Sequence, residues 1–341
     1  MINTLTEQFS GLLKSHHKAV VISHHNPDGD ALGSSMALYH YLKLKGADVA
    51  VVLPNAYPDF LEWMVDKTDN LHIYNHDNQL TVKKILKNAD VIFCVDFNAF
   101  NRTGEIADMV KTSKAKKVLI DHHLEPEISD FDYIYSKTET SSTAELLYEV
   151  IVSNNDKNLI DKKIAESLYV GIITDTGSLS FSNNYASTYK IIAHLAELKI
   201  DFALIQRLVY SNFTEKRMRL LGLCLSKNLF VLSEYKTAYI ALSLEDLKAY
   251  NYKPGDSEGI VNYAMAIKGI ELAGLFIERE DVVRVSLRSY GNLSVNNLAR
   301  TLYSGGGHKN AAGANSYKSL KETVDIFVNS LNNRDKFRTE D

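Results

Sequence analysis

Val118-Leu119-Ile120 runs straight into Asp121-His122-His123, and an apolar run that stops on three consecutive acid/base side chains leaves few folds open. Two other runs stop in the same manner: Val20-Val21-Ile22-Ser23 before His24-His25-Asn26-Pro27-Asp28-Gly29-Asp30, and Val91-Ile92-Phe93-Cys94-Val95 before Asp96. Tyr169-Val170-Gly171-Ile172-Ile173-Thr174 before Asp175 is taken as a fourth. Short β-branched runs separated by helical spacing are the pattern of parallel strands, whose carboxyl ends line the ligand crevice of an open α/β sheet. The expectation is six or seven His and Asp side chains converging on one rim.

The strand and helix rhythm is clearest from Val20 to about Phe181. Ala31 to Lys45 has helical spacing and Ala47 to Leu53 reads as the next strand. Ser142-Thr143-Ala144-Glu145 opens the apolar helix Leu146 to Ser153, with serine or threonine at the N-cap, a setting that also suits a phosphate. Tyr185 to Lys199, Phe202 to Tyr210 and Thr214 to Asn228 read as helices. Beyond them the pattern restarts, with strands near Leu229 to Leu232, Thr237 to Leu242, Ile270 to Glu278 and Val282 to Arg288. Helices are expected near Ser257 to Ile267, Val295 to Tyr303 and Leu320 to Leu331, and antiparallel pairing across Arg279-Glu280-Asp281. The predicted architecture is α/β: a parallel-sheet domain over 1–190, a helical connector over 191–228 and a smaller α/β domain over 229–341. The tail Asn332 to Asp341 is expected to fray.

At 341 residues with 45% hydrophobic side chains, the chain can bury full cores in two domains. A net charge of -4 argues against a long basic groove for duplex nucleic acid. Cys94 and Cys224 form no disulfide framework, which suits a reducing, cytoplasmic setting. Met1 to Ser15 has an amphipathic helical pattern without the cationic start of a signal peptide, and no run approaches the ~18 apolar residues of a membrane span. Exposed helical faces in the connector leave room for a homodimer.

Carboxylates and imidazoles gathered around one point repel or stay uncompensated unless cations neutralise them. A single Asp is as readily a helix cap, and a single His a hydrogen-bonded core residue; four such motifs together favour metal. Mixed Asp/His ligation without thiolate suits Mn²⁺, with Mg²⁺ and Co²⁺ as alternatives. Two ions about 3.5 to 4 Å apart stabilise both oxygens of an in-line displacement at phosphorus. Farther on, Gly305-Gly306-Gly307 lets backbone N–H groups approach an anion, with His308 beside it as a donor, although a bare triple glycine is more simply a tight turn. Arg288 can grip phosphate oxygens with its fork or be an exposed strand-end cation. Asn296 reads equally as a helix cap and is left out of the site. Phe97 and Phe100 either stack on a base or cover the sheet edge, the second being favoured, and Asn98 is a candidate contact to water or substrate.

With Asp121-His122-His123 and Ser304-Gly305-Gly306-Gly307-His308-Lys309-Asn310-Ala311-Ala312-Gly313 both present, the chain resembles the DHH phosphoesterase superfamily with its DHHA1 substrate domain. It is most similar to the bacterial nanoRNase and 3',5'-phosphoadenosine phosphatase branch. The resemblance implies two divalent ions, probed first as Mn²⁺. It implies His24, Asp28 and Asp96 around one ion, and Asp30, Asp96, His122 and Asp175 around the other. It implies His123 as a donor or acid at the scissile phosphate, and Gly305, Gly306, Gly307 and His308 on the substrate, with Arg288 as the candidate that the strand-end reading adds to them. The expected partners are short single-stranded RNA, including pApA, or nucleotide phosphates, held between two domains. Cyclic-di-AMP or pApA phosphodiesterase and inorganic pyro- or polyphosphatase are the alternatives. A non-hydrolytic nucleotide-binding regulator is the reading from another class, disfavoured because every expected ligand is present.

Overall fold

The computed structural model describes residues 18–180, 185–253 and 255–339, so the expected amino-terminal helix lies outside the described residues. The chain divides into two compact units, residues 1–212 and 213–341.

The first unit is built on a six-stranded sheet of β1 (Lys18–Ile22), β2 (Asp48–Leu53), β3 (Leu71–Ile73), β4 (Val91–Val95), β5 (Lys116–Asp121) and β6 (Tyr133–Ser136). All pairs are parallel and the order is β3-β2-β1-β4-β5-β6. The chain runs outward from β1 in one direction, then returns to start β4 on its other side. The crevice of such a sheet opens where the direction reverses, here between β1 and β4. His24 follows β1 and Asp96 follows β4, so topology alone brings the first two motifs together.

One face of the sheet carries α1 (Gly29–Leu44). Nearly all of its residues are buried, which explains the absence of a clean amphipathic stripe. The other described helices of this unit are α2 (Gln79–Asn88), α3 (Ala107–Lys111), α4 (Thr143–Ser153), α5 (Lys162–Asp175), α6 (Ala186–Glu197) and α7 (Phe202–Tyr210). The largest departure from expectation is α5. The run Tyr169 to Thr174, taken as a strand, is the last half of a 14-residue helix capped by Asp161, whose carboxylate accepts from Ile164 N. Leu168, Val170, Ile172 and Ile173 are all fully buried, so the second half of the helix shows no polar face and its β-branched end mimics a strand. Glycine sets its distance from α1. A Cβ on Gly33 would lie 2.6 Å from the Ser167 carbonyl oxygen, and one on Gly171 would lie 2.6 Å from Asp30 Oδ1 and 2.5 Å from Ala144 Cβ. Side chains at these two points would push the helices apart.

The expected connector is helical, but Ile191, Leu195, Ile205 and Val209 of α6 and α7 belong to the first unit's core. The second unit begins with α8 (Glu215–Ser226), which packs Leu220 and Cys224 into a separate core. Its sheet contains β7 (Leu229–Leu232), β8 (Thr237–Leu242), β9 (Leu272–Glu278), β10 (Val283–Ser289), β11 (Ser304–Gly307) and β12 (Ala311–Ser316), in the order β11-β12-β10-β9-β8-β7. Only β8 and β9 run parallel among these pairs, and β9 meets β10 in the expected hairpin. Its helices are α9 (Leu244–Ala249), α10 (Ile260–Met265, shorter than expected), α11 (Val295–Leu302) and α12 (Leu320–Ser330).

Two expectations fail here for the same reason, pairing that composition hides. Gly305 to Gly307 is not a loop or turn but edge strand β11, paired with β12. The tail is tied down as far as Thr339: Phe337 is buried, Leu293 bridges to Arg338, and Arg334 and Arg338 reach Glu271 Oε2 at 3.0 and 3.3 Å.

Candidate metal centre

Each buried polar residue at the sheet rim has an identifiable reason to be there. Asp28 is the N-cap of α1, its Oδ1 accepting from Asp30 N and Ala31 N at 3.0 Å. The bland reading of a lone Asp as a cap therefore holds for Asp28, and the same oxygen lies 3.9 Å from His24 Nε2. Asp96, directly after β4, has φ 63, a left-handed backbone that a residue with a Cβ adopts at a cost of about 1–2 kcal/mol. Its N–H still donates to Ile120 O at 3.1 Å, so the strained turn is fixed against β5.

Asp96 joins two groups. Its Oδ2 lies 3.4 Å from His24 Nε2, and its Oδ1 lies 3.9 Å from His122 Nε2 and 3.8 Å from His123 Nδ1. Around the first oxygen stand His24 and Asp28; beyond the second, His122 Nε2 faces Asp30 Oδ2 at 3.8 Å and Asp175 Oδ2 at 3.0 Å. His24, Asp28 and Asp96 can thus offer one set of ligand atoms, and Asp30, His122 and Asp175 another. Three of these motifs arrive from strand ends and the fourth, Asp175, from the end of α5. A carboxylate at the last turn of a helix opposes the helix dipole, which adds to the case for a neighbouring cation.

The electrostatics point the same way. Burial, then Asp96 and Asp175, push the Asp30 carboxyl well above its ordinary range, and the same three causes raise Asp28 against a downward pull from His24. Burial would lower His122, yet Asp175, Asp30 and Asp96 outweigh it and raise it to about 10. His24 is raised likewise against its burial, by Asp96 and Asp28. Asp96 is held below the usual carboxylate range, where His24, His123 and His122 overcome burial. Without cations, charges of both signs are trapped in strained protonation states; divalent ions would relieve this. The mixed oxygen and imidazole donor set fits such ions.

Two supporting residues escaped the sequence reading. Asp121 is completely buried; its Oδ1 accepts from His123 Nδ1 at 2.7 Å and its Oδ2 from His123 N at 3.1 Å. Asp121 thus engages both the ring Nδ1 and the backbone N–H of His123. Thr143 was seen only as part of a helix cap. Ser142 is the N-cap, accepting from Glu145 N, while Thr143 Oγ1 donates to Asp96 Oδ1 at 2.9 Å. Thr143 N and Ala144 N donate to the two oxygens of Asp30 at 2.7 and 2.9 Å. The start of α4, expected to suit a phosphate, holds a carboxylate instead. Glu145 locks it in place, accepting from Ser141 Oγ, Ser187 Oγ and Thr188 Oγ1 at 2.5 to 2.6 Å.

Phe97 and Phe100 are buried with Phe131 in the core on the other face of the sheet, packed under the central strands rather than over the sheet edge. Asn98 braces a loop through Leu124 O at 2.8 Å. In the second unit, Arg288 pairs across β10–β12 with Ala311, whose carbonyl accepts from His308 N at 2.7 Å, so Arg288 and His308 flank one residue of β12. Asn296 is no cap; Ser294 has that position, and Asn296 Oδ1 accepts from Gly307 N at 3.1 Å. The N–H groups of Gly307 and His308 are therefore already engaged.

The DHH family, N-terminal domain, matches residues 18–172, and the DHHA1 domain matches 235–334. The chain belongs to the DHH–DHHA1 family. It is 29% identical over 314 residues to the bifunctional oligoribonuclease and PAP phosphatase NrnA of Bacillus subtilis, covering 89% of this chain and 91% of that protein. The probable NrnA of Streptococcus mutans is 28% identical, covering 92% and 94%. Among solved structures, an exopolyphosphatase-related protein from Bacteroides fragilis superposes with a TM-score of 0.90 at 38% identity, over 97% of this chain and 96% of that one. No helix among the described residues is long and apolar enough to cross a membrane.

Proposed function

We propose that this DHH–DHHA1 protein hydrolyses short single-stranded RNA, pApA included, to mononucleotides and removes a phosphate from 3',5'-phosphoadenosine, with two divalent ions, Mn²⁺ foremost. The observation that carries the reading is Asp96, which turns one carboxylate oxygen to each ligand set. NrnA relatives matched over most of their length support the substrate class.

His24, Asp28 and Asp96 would hold one ion, and Asp30, Asp96, His122 and Asp175 the other. Bound there, the ions would supply an activated water and electrostatic stabilisation of the oxygens on phosphorus. Thr143 and the first N–H groups of α4 fix the carboxylates, so little reorganisation is needed when charge develops. Asp121 holds the His123 ring by Nδ1, and the role assigned to Nε2 is a hydrogen bond to a phosphate oxygen. As the water oxygen bonds to phosphorus and the ester P–O bond breaks, the leaving oxygen takes a proton, for which His123 is the placed donor. Arg288 and His308 of the second unit bind nucleotide phosphate or ribose; Gly305 to Gly307 keep that strand free of side chains.

Product release from pApA, a short RNA, 3',5'-phosphoadenosine, pyrophosphate and polyphosphate, measured in Mn²⁺ after chelation, tests this. Mononucleotides from pApA and RNA are expected. Asp96→Asn should lower the rate about a thousandfold, since losing several kcal/mol of ion-borne stabilisation at 1.36 kcal/mol per decade gives that scale. Turnover confined to pyrophosphate or polyphosphate would overturn the substrate class.

A further inference from the structure

The second unit's sheet has one face whose β10, β12 and β11 portion is polar and partly open. Side chains alternate across a strand, so Arg284, Ser286 and Arg288 point to the same face of β10 while Val283, Val285 and Leu287 are buried on the other. The strand register extends these positions sideways. Arg284 pairs with Asn315 and that with Ser304; Ser286 pairs with Gly313 and that with Gly306; Arg288 pairs with Ala311. From β10 outward the middle row carries no side chain larger than serine, while on the β9 side Ser286 pairs with the buried Leu275. This row lies between the rows of Arg284 and Arg288, and at its far end a Cβ on Gly306 would stand 3.4 Å from Asn296 Oδ1 and 3.6 Å from Arg300 Nε.

The Arg284 end is unusual. Arg279, at the end of the same hairpin, pairs through its N–H with Val282 O and lays its guanidinium 4.2 Å from the centre of the Tyr252 ring. Among the described residues, Arg284 Nη1 donates to Asn315 Oδ1 at 3.4 Å. Burial and the neighbouring Arg279 both disfavour the Arg284 charge, against a smaller opposite effect from Tyr252. Two half-buried arginines thus repel each other, with the hairpin's Glu280 and Asp281 exposed in the turn. No salt bridge joins either arginine to a carboxylate among the described residues. Planar guanidinium groups beside an aromatic ring suit a phosphate with a base or ribose next to it.

We propose that Arg279, Arg284, Tyr252 and Asn315 form a second phosphate site, which takes a phosphodiester of single-stranded oligonucleotides longer than a dinucleotide. Arg284 and Arg288 are four residues apart on one strand, about 13 Å at the usual rise, farther than one nucleotide repeat. A dinucleotide held at Arg288 does not reach Arg284; a longer strand that runs along β10 and crosses the Ser286–Gly313–Gly306 row does. The site rests on the proposed function and adds to it a preference for length.

Equilibrium binding of 5'-phosphorylated ribonucleotides of two, three and five residues to the full chain, in EDTA to stop turnover, tests the site. Arg284→Gln and Arg279→Gln should each weaken the pentamer about tenfold and lower its salt dependence by about one unit of slope, leaving the dinucleotide within about twofold. Arg284→Lys should restore the slope, which separates lost charge from altered structure. Equal loss at every length, or none, would overturn the site. A wild-type chain that neither binds nor cleaves any of them would instead refute the function on which it rests.

Discussion

The two units treat charge in opposite ways. In the first, Asp30, Asp96 and His122 are almost wholly buried, with His122 Nε2 3.8 and 3.9 Å from the two carboxylates, a setting stable only with compensation. In the second, Arg279, Arg284 and Arg288 are half-buried, neither sealed in a core nor fully in solvent. Buried opposed charge suits chemistry, since it is rigid and sheltered from water. Half-exposed charge of one sign suits recognition, since it attracts a phosphate without a large desolvation penalty.

That contrast can be broken by experiment. Mn²⁺ at a hundred times its dissociation constant should stabilise the first unit by about 2.7 kcal/mol. Hydrogen exchange should then slow around 24–30, 96, 121–123, 143–145 and 175, but not over 272–316; protection in both regions would end the distinction. Thr143→Val should weaken Mn²⁺ binding roughly 10- to 100-fold, the range for loss of a ligand's supporting hydrogen bond, and Thr143→Ser should restore it. A change in melting temperature without a change in titrated affinity would reduce Thr143 to a packing role. The smallest effect belongs to Glu271, whose carboxyl is lowered by Lys236, Arg334 and Arg338 against slight burial. A depressed folded pKa adds stability above the unfolded value and loses it as pH falls through the folded one. Wild type should therefore lose its advantage over Glu271→Gln between about pH 5 and 3, and that advantage at neutral pH should stay below about 1 kcal/mol for so exposed a network.

Legibility in the sequence followed the same division. Val20–Ile22, Val91–Val95 and Val118–Ile120 were readable as strands because they are short and end abruptly in polar residues. The Asp175 motif was placed beside them correctly but on the wrong element, since a helix buried on all sides has no periodicity to betray it. Thr143 stayed hidden because Ser-Ser-Thr before a helix looks the same whether it caps that helix or also holds Asp30 and Asp96. Glycine obscured β11: its composition signals a turn, and only the partner strand β12 makes it a strand. The ordered tail depends on Glu271, far away in sequence, which no local pattern announces.

The left-handed backbone at Asp96 carries a warning for anyone engineering this protein. Glycine would sit there without strain, and asparagine with less, so selection for heat tolerance alone would reward the replacements that remove the carboxylate shared by both ligand sets. A hardier scaffold obtained that way would pass every test of folding and have lost its reaction, so screens on this chain should score turnover from the first round.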